Sequence, residues 1–151
     1  MARFKLLSTS SNGKQIVVMH EDKPNVMVVK EVGALAGERL IQFAPDGAQN
    51  VPEPDNVWFS LDGSLLSSVS SNKRELHVYD LTQDPGRDEE KNPLPIKEPL
   101  ISLVSSADIV VGGFAATRSD DIMVVVRTEA QERLWNITHV VAQSRQKRLV
   151  Y

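Results

Sequence analysis

The chain has 151 residues, of which 41% are hydrophobic and 25% charged, and its formal net charge at pH 7 is −3. It is long and apolar enough for one packed domain, and the acidic balance makes nucleic acid an unlikely partner, since general binders of that kind carry a basic surface. Cysteine is absent, which excludes disulfides, thiolate metal sites and cysteine nucleophiles and favours a reducing compartment. The first residues lack the apolar core of a signal peptide, and no apolar run approaches the ~20 residues that span a bilayer. The expected location is therefore cytoplasmic or nuclear, with no membrane partner.

In chain order, Phe4 to Leu7 reads as a strand and Asn12-Gly13 as a tight turn. Ile16 to Met19 is a second strand, Glu21 to Asn25 a polar connector, Val26 opens a third strand and Arg39 to Phe43 is a fourth. Asparagine and glycine at a reversal supply the positive φ that the turn needs. The same layout returns without a gap from Asp62-Gly63, with strands at Val57 to Ser60, Leu65 to Ser70, Leu76 to Leu81 and Leu100 to Val104. It returns again from Asp120-Asp121, with strands at Ile109 to Ala115, Ile122 to Val126, a third opening at Leu134, and Arg148 to Tyr151. No segment has a sustained helical period.

The prediction is an all-β chain of three four-stranded antiparallel repeats of about 50 residues, as one domain over 1–151. Unit 1 covers 1–45, unit 2 covers 55–105 and unit 3 covers 106–151. Unit 2 carries an insertion at 82–98, rich in Asp, Glu, Lys and Pro, which is expected to bury little and to form an exposed, mobile loop. Ile16 to Met19 and Ile122 to Val126 are apolar at consecutive positions, which predicts burial on both faces, as in the central strands of propeller blades.

Phe59-Ser-Leu-Asp-Gly-Ser-Leu-Leu66 followed by Leu76-His-Val-Tyr-Asp-Leu81 resembles a WD40-type β-propeller blade, with Tyr79-Asp80 where Trp-Asp is usual. The corresponding positions in the other units are Val29-Lys30 and Ile137-Thr138, and no Gly-His dipeptide occurs. The resemblance implies part of a propeller. Because propellers close with roughly 4–8 blades, three units imply either a fragment of a longer chain or a half completed by a second copy or another subunit. The alternative architecture is a β-trefoil, which also has three four-stranded repeats but closes by itself and would bind carbohydrate or a small ligand.

No catalytic or cofactor signature is present. His20, His77 and His139 fall at different repeat positions and make no shared metal site. Asp62, Asp120 and Asp121 sit where turn chemistry explains them. Val110-Val-Gly-Gly-Phe114 is not followed by a helix, so its glycines read as a bulge or a close backbone approach. Asn136-Ile-Thr138 matches a glycosylation sequon in a chain without secretory features, and reads as coincidence. What remains are surfaces: Trp135 as an exposed aromatic on a blade edge, and Arg145, Lys147 and Arg148 as a small basic cluster for an acidic partner. The expected function is a non-enzymatic protein–protein interaction scaffold without cofactors, associating with a partner or with a second copy.

Overall fold

The computed structural model describes residues 4–20, 26–32, 39–42, 56–70 and 72–149. Three antiparallel sheets follow one another along the chain. The first contains β1 (Phe4–Thr9), β2 (Gln15–His20), β3 (Val26–Glu31) and β4 (Arg39–Gln42), in that order. The second contains β5 (Val57–Phe59), β6 (Leu65–Val69), β7 (Glu75–Asp80) and β8 (Ile101–Val104), again in chain order. The third has three strands, β9 (Val111–Ala115), β10 (Met123–Arg127) and β11 (Glu132–Asn136), and is followed by helix α1 (Thr138–Leu149).

The expected gap-free register holds only as far as the second strand, which begins three residues after the turn position in every unit, at Gln15, Leu65 and Met123. The third strands begin at Val26, Glu75 and Glu132, which lie 14, 13 and 12 residues after the turn positions Asn12, Asp62 and Asp120, so the connector shortens from unit to unit. The fourth strand of unit 3 does not form: Arg148 and Leu149 belong to α1, and the chain beyond them lies outside the described residues. A helix wins here because Ala142 to Leu149 is dominated by unbranched helix formers, and its basic residues lie in the last turns, where the helix dipole favours them. Its start is fixed by side chains. Asn136 Oδ1 accepts hydrogen bonds from the Thr138 backbone N–H at 3.0 Å and the Thr138 hydroxyl at 2.7 Å, and Thr138 Oγ1 accepts one from the Ile122 N–H at 2.8 Å. The sequon residues are thus the helix-start device.

Two cores lie between the three sheets. Leu7, Val17, Met19, Met27, Val29 and Ile41 of unit 1 pack against Val57, Phe59, Leu66 and Tyr79 of unit 2. The opposite face of unit 2, with Leu65, Val69, Leu76 and Val78, packs against Ile109, Val124 and Val126 of unit 3 and against Ile137 and Val141 around the start of α1. The first strands β1, β5 and β9 are spatial neighbours, so the sheets converge on their first strands. No strand of one sheet extends another among the described residues, so there is no closed barrel and the trefoil is not formed.

Burial follows from this stacking, with one reversal of expectation. The strand buried at every position is β6 of the middle unit, including Ser67 and Ser68. Of the more apolar strands of the end units, β2 buries Val17, Val18 and Met19 in succession and so is covered on both faces as expected, whereas β10 alternates buried Val124 and Val126 with half-buried Met123 and Val125. The insertion also departs from expectation. Most of 82–94 is exposed, but Ile96 is 3% exposed, joins the core between units 1 and 2, and bridges to Ile41 of β4. A single isoleucine in a polar excursion suffices to anchor it, since one well-buried aliphatic side chain contributes about 2 kcal/mol.

Candidate interaction surfaces

The turns come first, because they hold the strand ends rigid. Ser10, Ser60 and Ser70 each open the same six-residue reversal. The serine N–H donates to the carbonyl five residues on at 2.9 Å in all three, and its carbonyl accepts from Gly13, Gly63 or Lys73 at 2.9–3.0 Å. Its hydroxyl donates to the side-chain oxygen of Asn12, Asp62 or Asn72 and accepts from the backbone N–H of Gln15, Leu65 or Glu75. The Asn or Asp oxygen also takes the backbone N–H two residues on, from Lys14, Ser64 or Arg74. Gly13, Gly63 and Lys73 have φ of 72°, 78° and 63°. The shared signal, Ser-x-Asn/Asp, is present in the sequence, and the serine is the member that inspection of the turn pairs alone leaves out.

Asp62 and Asp80 are therefore structural acids. Burial alone would raise the Asp62 carboxyl. Hydrogen bonds from the Ser64 N–H, the Ser64 hydroxyl and the Ser60 hydroxyl, with the nearby Arg145 charge, hold it below its ordinary value. Asp80 likewise would be raised by burial but is held low by hydrogen bonds from Arg145 and Thr82 together with the Arg145 charge. Burial, with the Glu98 charge, pushes the Tyr79 hydroxyl up to about 12. Asp120 and Asp121 are exposed in the corresponding turn of unit 3, where Thr117 Oγ1 donates to the carbonyls of Ser119 and Asp121. Among the described residues no cluster of His, Cys, Asp or Glu could hold a metal ion. His77 Nδ1 pairs with the Ser102 hydroxyl at 2.8 Å, and its Nε2 lies 3.4 Å from Glu75.

Of the three basic residues near the C-terminus, Arg145 is engaged inside the chain. Arg145 reaches back from α1 to unit 2, with Nε 3.0 Å from Asp80 Oδ2, Nη2 3.2 Å from Asp80 Oδ1, and Nη2 3.0 Å from Ser64 Oγ. Its charge is thus committed within the chain. Lys147, on the same helix, is exposed beside a hollow that also has Glu98 and Gln143 in its walls. Arg148 lies in α1, and its side chain is outside the described residues. Trp135 is elsewhere, on β11 and 41% exposed, and it lines a cavity of about 270 Å³ between unit 2 and unit 3.

The glycines of β9 mark a close approach. A Cβ on Gly113 would overlap the Trp58 indole, and one on Gly112 would press on Val69 and Leu76. The units are further tied by Arg74, which pairs with Asp108 at 2.8 Å across the unit 2–unit 3 boundary, and by Gln15 Nε2, which donates to the Gly63 carbonyl at 2.9 Å between units 1 and 2.

No family model matches the sequence, and no curated protein matches it. Solved structures do. Hsv2 from Kluyveromyces lactis, a WD40-type β-propeller protein, is 15% identical with a TM-score of 0.51, over 87% of this chain and 45% of that one. A second K. lactis Hsv2p structure is 17% identical (TM-score 0.49; 87% and 45% covered), and Hsv2 from Kluyveromyces marxianus is 19% identical (0.48; 85% and 46%). At such identities the likeness concerns the fold alone. The chain spans less than half the length of the structures it matches, and its three sheets, stacked in sequence order, have a partial propeller-like arrangement.

Proposed function

We propose that this chain is a non-enzymatic protein-interaction module: three consecutive units of a WD40-like propeller whose end faces are covered by further units from a second copy, a partner subunit or a longer chain. The observation that carries this reading is the mismatch between sequence and coverage at the two ends. Unit 1 presents Leu6, Ile16 and Val28 away from unit 2, and unit 3 presents Val111, Met123, Val125 and Leu134 on the side opposite its core. Both rows are apolar and only partly covered: Leu6 and Leu134 are exposed and Ile16, Val28, Val111, Met123 and Val125 half-buried, with Val18 of the unit 1 row buried, whereas β6 of the middle unit is buried at every position. Apolar sheet faces of this kind mark association surfaces. In this reading the rigid turns present blade edges to partners and no bond is made or broken.

Light scattering coupled to size-exclusion chromatography tests it. Association that weakens when Val125→Asp or Val28→Asp is introduced supports the reading. A monomer at micromolar concentration that stays soluble with both faces bare overturns it.

A further inference from the structure

β11 differs from its counterparts. β3 and β7 are each paired on both edges, the outer edge being taken by β4 and β8 in antiparallel register. β11 is paired only to β10 among the described residues, and all five of its side chains are exposed. Its outer edge therefore carries a row of backbone N–H and C=O groups without ladder partners, a template for an added strand. α1, which occupies the place of the fourth strand in sequence, does not fill that place in space. It turns away at Thr138, buries Val141 in the core between units 2 and 3, and is held to unit 2 by Arg145.

Beside this edge lies the cavity that Trp135 lines. Leu103, Val104, Val126, Thr128, Arg133 and Trp135 are in its walls. Val104 is 78% exposed, an aliphatic side chain left bare at the end of β8. Arg133 and Trp135 alternate with Leu134 along β11, so both face the cavity on one side of the sheet while Leu134 faces the other. Arg133 makes no ion pair or hydrogen bond with the described residues, in contrast to Arg127, which pairs with Glu132 at 3.1 Å.

We propose that the outer edge of β11 takes up an extended segment of a partner protein as the fourth strand of unit 3, and that this segment carries an aliphatic residue, any residue and an acidic residue in that order. The direction follows from β4 and β8, which run antiparallel to the strands they complete. An added strand with that polarity meets Trp135 first and Arg133 two residues later. The first side chain is then set against the indole and Leu103, and the second against the uncommitted guanidinium. The intervening residue lies on the Leu134 side and is unspecified. The inference concerns one edge of unit 3 and stands whichever way the end faces are covered.

The test uses the whole chain and a fluorescein-labelled octapeptide, Thr-Val-Thr-Leu-Thr-Glu-Thr-Lys, with fluorescence anisotropy as the readout. Binding in the micromolar range is expected, falling about tenfold when the glutamate of the peptide is replaced by lysine. Arg133→Glu reverses that preference. N-methylation of one peptide nitrogen at a time gives losses that alternate along the peptide, because only every second N–H points at β11. That last series alters the peptide alone and is independent of how any variant folds. Absence of binding, equal binding of the glutamate and lysine peptides, or a methylation series without alternation overturns the proposal. So does a dimer joined through β11 that excess peptide does not displace.

Discussion

Arg145 and Asp80 lie 65 positions apart in the chain, and their side chains meet in a two-point contact at 3.0 and 3.2 Å. Asp80 is 3% exposed on its side chain, and its Oδ1 also accepts the Thr82 N–H and hydroxyl, so the carboxylate is saturated by donors. The guanidinium extends this network to Ser64, whose hydroxyl donates to Asp62 at 2.9 Å. A helix following unit 3 is thereby fastened to a turn and a strand end of unit 2. Removing the cation leaves a buried carboxylate short of two donors. Arg145→Ala is expected to cost roughly 1.5–3 kcal/mol, measured by urea unfolding, and Arg145→Lys should recover only part of it because an ammonium cannot make both contacts. The loss should be far from additive with Asp80→Asn.

The same network sets an acid limit. Asp80 and Asp62 both sit below their ordinary value of 3.8 in the folded protein. A depressed carboxylate stabilises the fold above its unfolded value, and that contribution is lost as pH falls through the folded value. Stability should therefore be insensitive to these two groups above about pH 5, decline as pH drops past 3.8, and decline less steeply in Asp80→Asn. Urea midpoints collected between neutral pH and pH 3 supply the measurement; an unchanged acid slope in the variant would show that Asp80 does not carry the effect.

Much of this arrangement is legible in the sequence, and the exceptions have physical causes. Strand positions were readable because turn chemistry and β-branched runs are local, and the second strand starts at the same distance from the turn in all three units. Helix α1 was not, because its packing is carried by Val141 and a salt bridge rather than by an apolar stripe. Its local signals, Asn136 and Thr138 ahead of a run of unbranched residues with basic residues at the end, lay within a segment that the repeat assigned to strands. The Arg145–Asp80 pairing has no local signal at all, so a residue that reads as surface cation proves to be an internal fastener. Trp135 was legible as an exposed aromatic. The open edge that gives it context depends on the absence of a fourth strand in unit 3, which only the folded arrangement displays.

Gly113 offers a test of how closely the units approach. Its Cα faces the Trp58 indole with no room for a methyl group. Gly113→Ala should destabilise by about 1–3 kcal/mol through overpacking. Placed in a Trp58→Ala background, the same substitution should cost well under half as much, since the clashing ring is gone. Equal costs in the two backgrounds would mean that the glycine serves backbone conformation rather than the approach of unit 3 to unit 2.

The three serine-headed turns contain an internal comparison. Two place glycine at the position of positive φ, and the third places Lys73 there at 63°. The hydrogen bonds around it match those at Gly13 and Gly63, so the turn is made in spite of the lysine. A left-handed backbone costs a residue with a Cβ about 1–2 kcal/mol, part of which glycine gives back through the greater freedom of its unfolded chain. Lys73 is exposed, and its side chain appears in none of these bonds, so little is lost by removing it. Lys73→Gly should accordingly raise stability by up to about 1 kcal/mol, whereas Gly13→Ala, where a Cβ would meet no other atom, should lower it by a similar amount. Opposite signs in a thermal unfolding experiment are the expected result. A destabilised Lys73→Gly variant would mean that the lysine side chain holds the β6–β7 hairpin through contacts that outweigh its backbone strain.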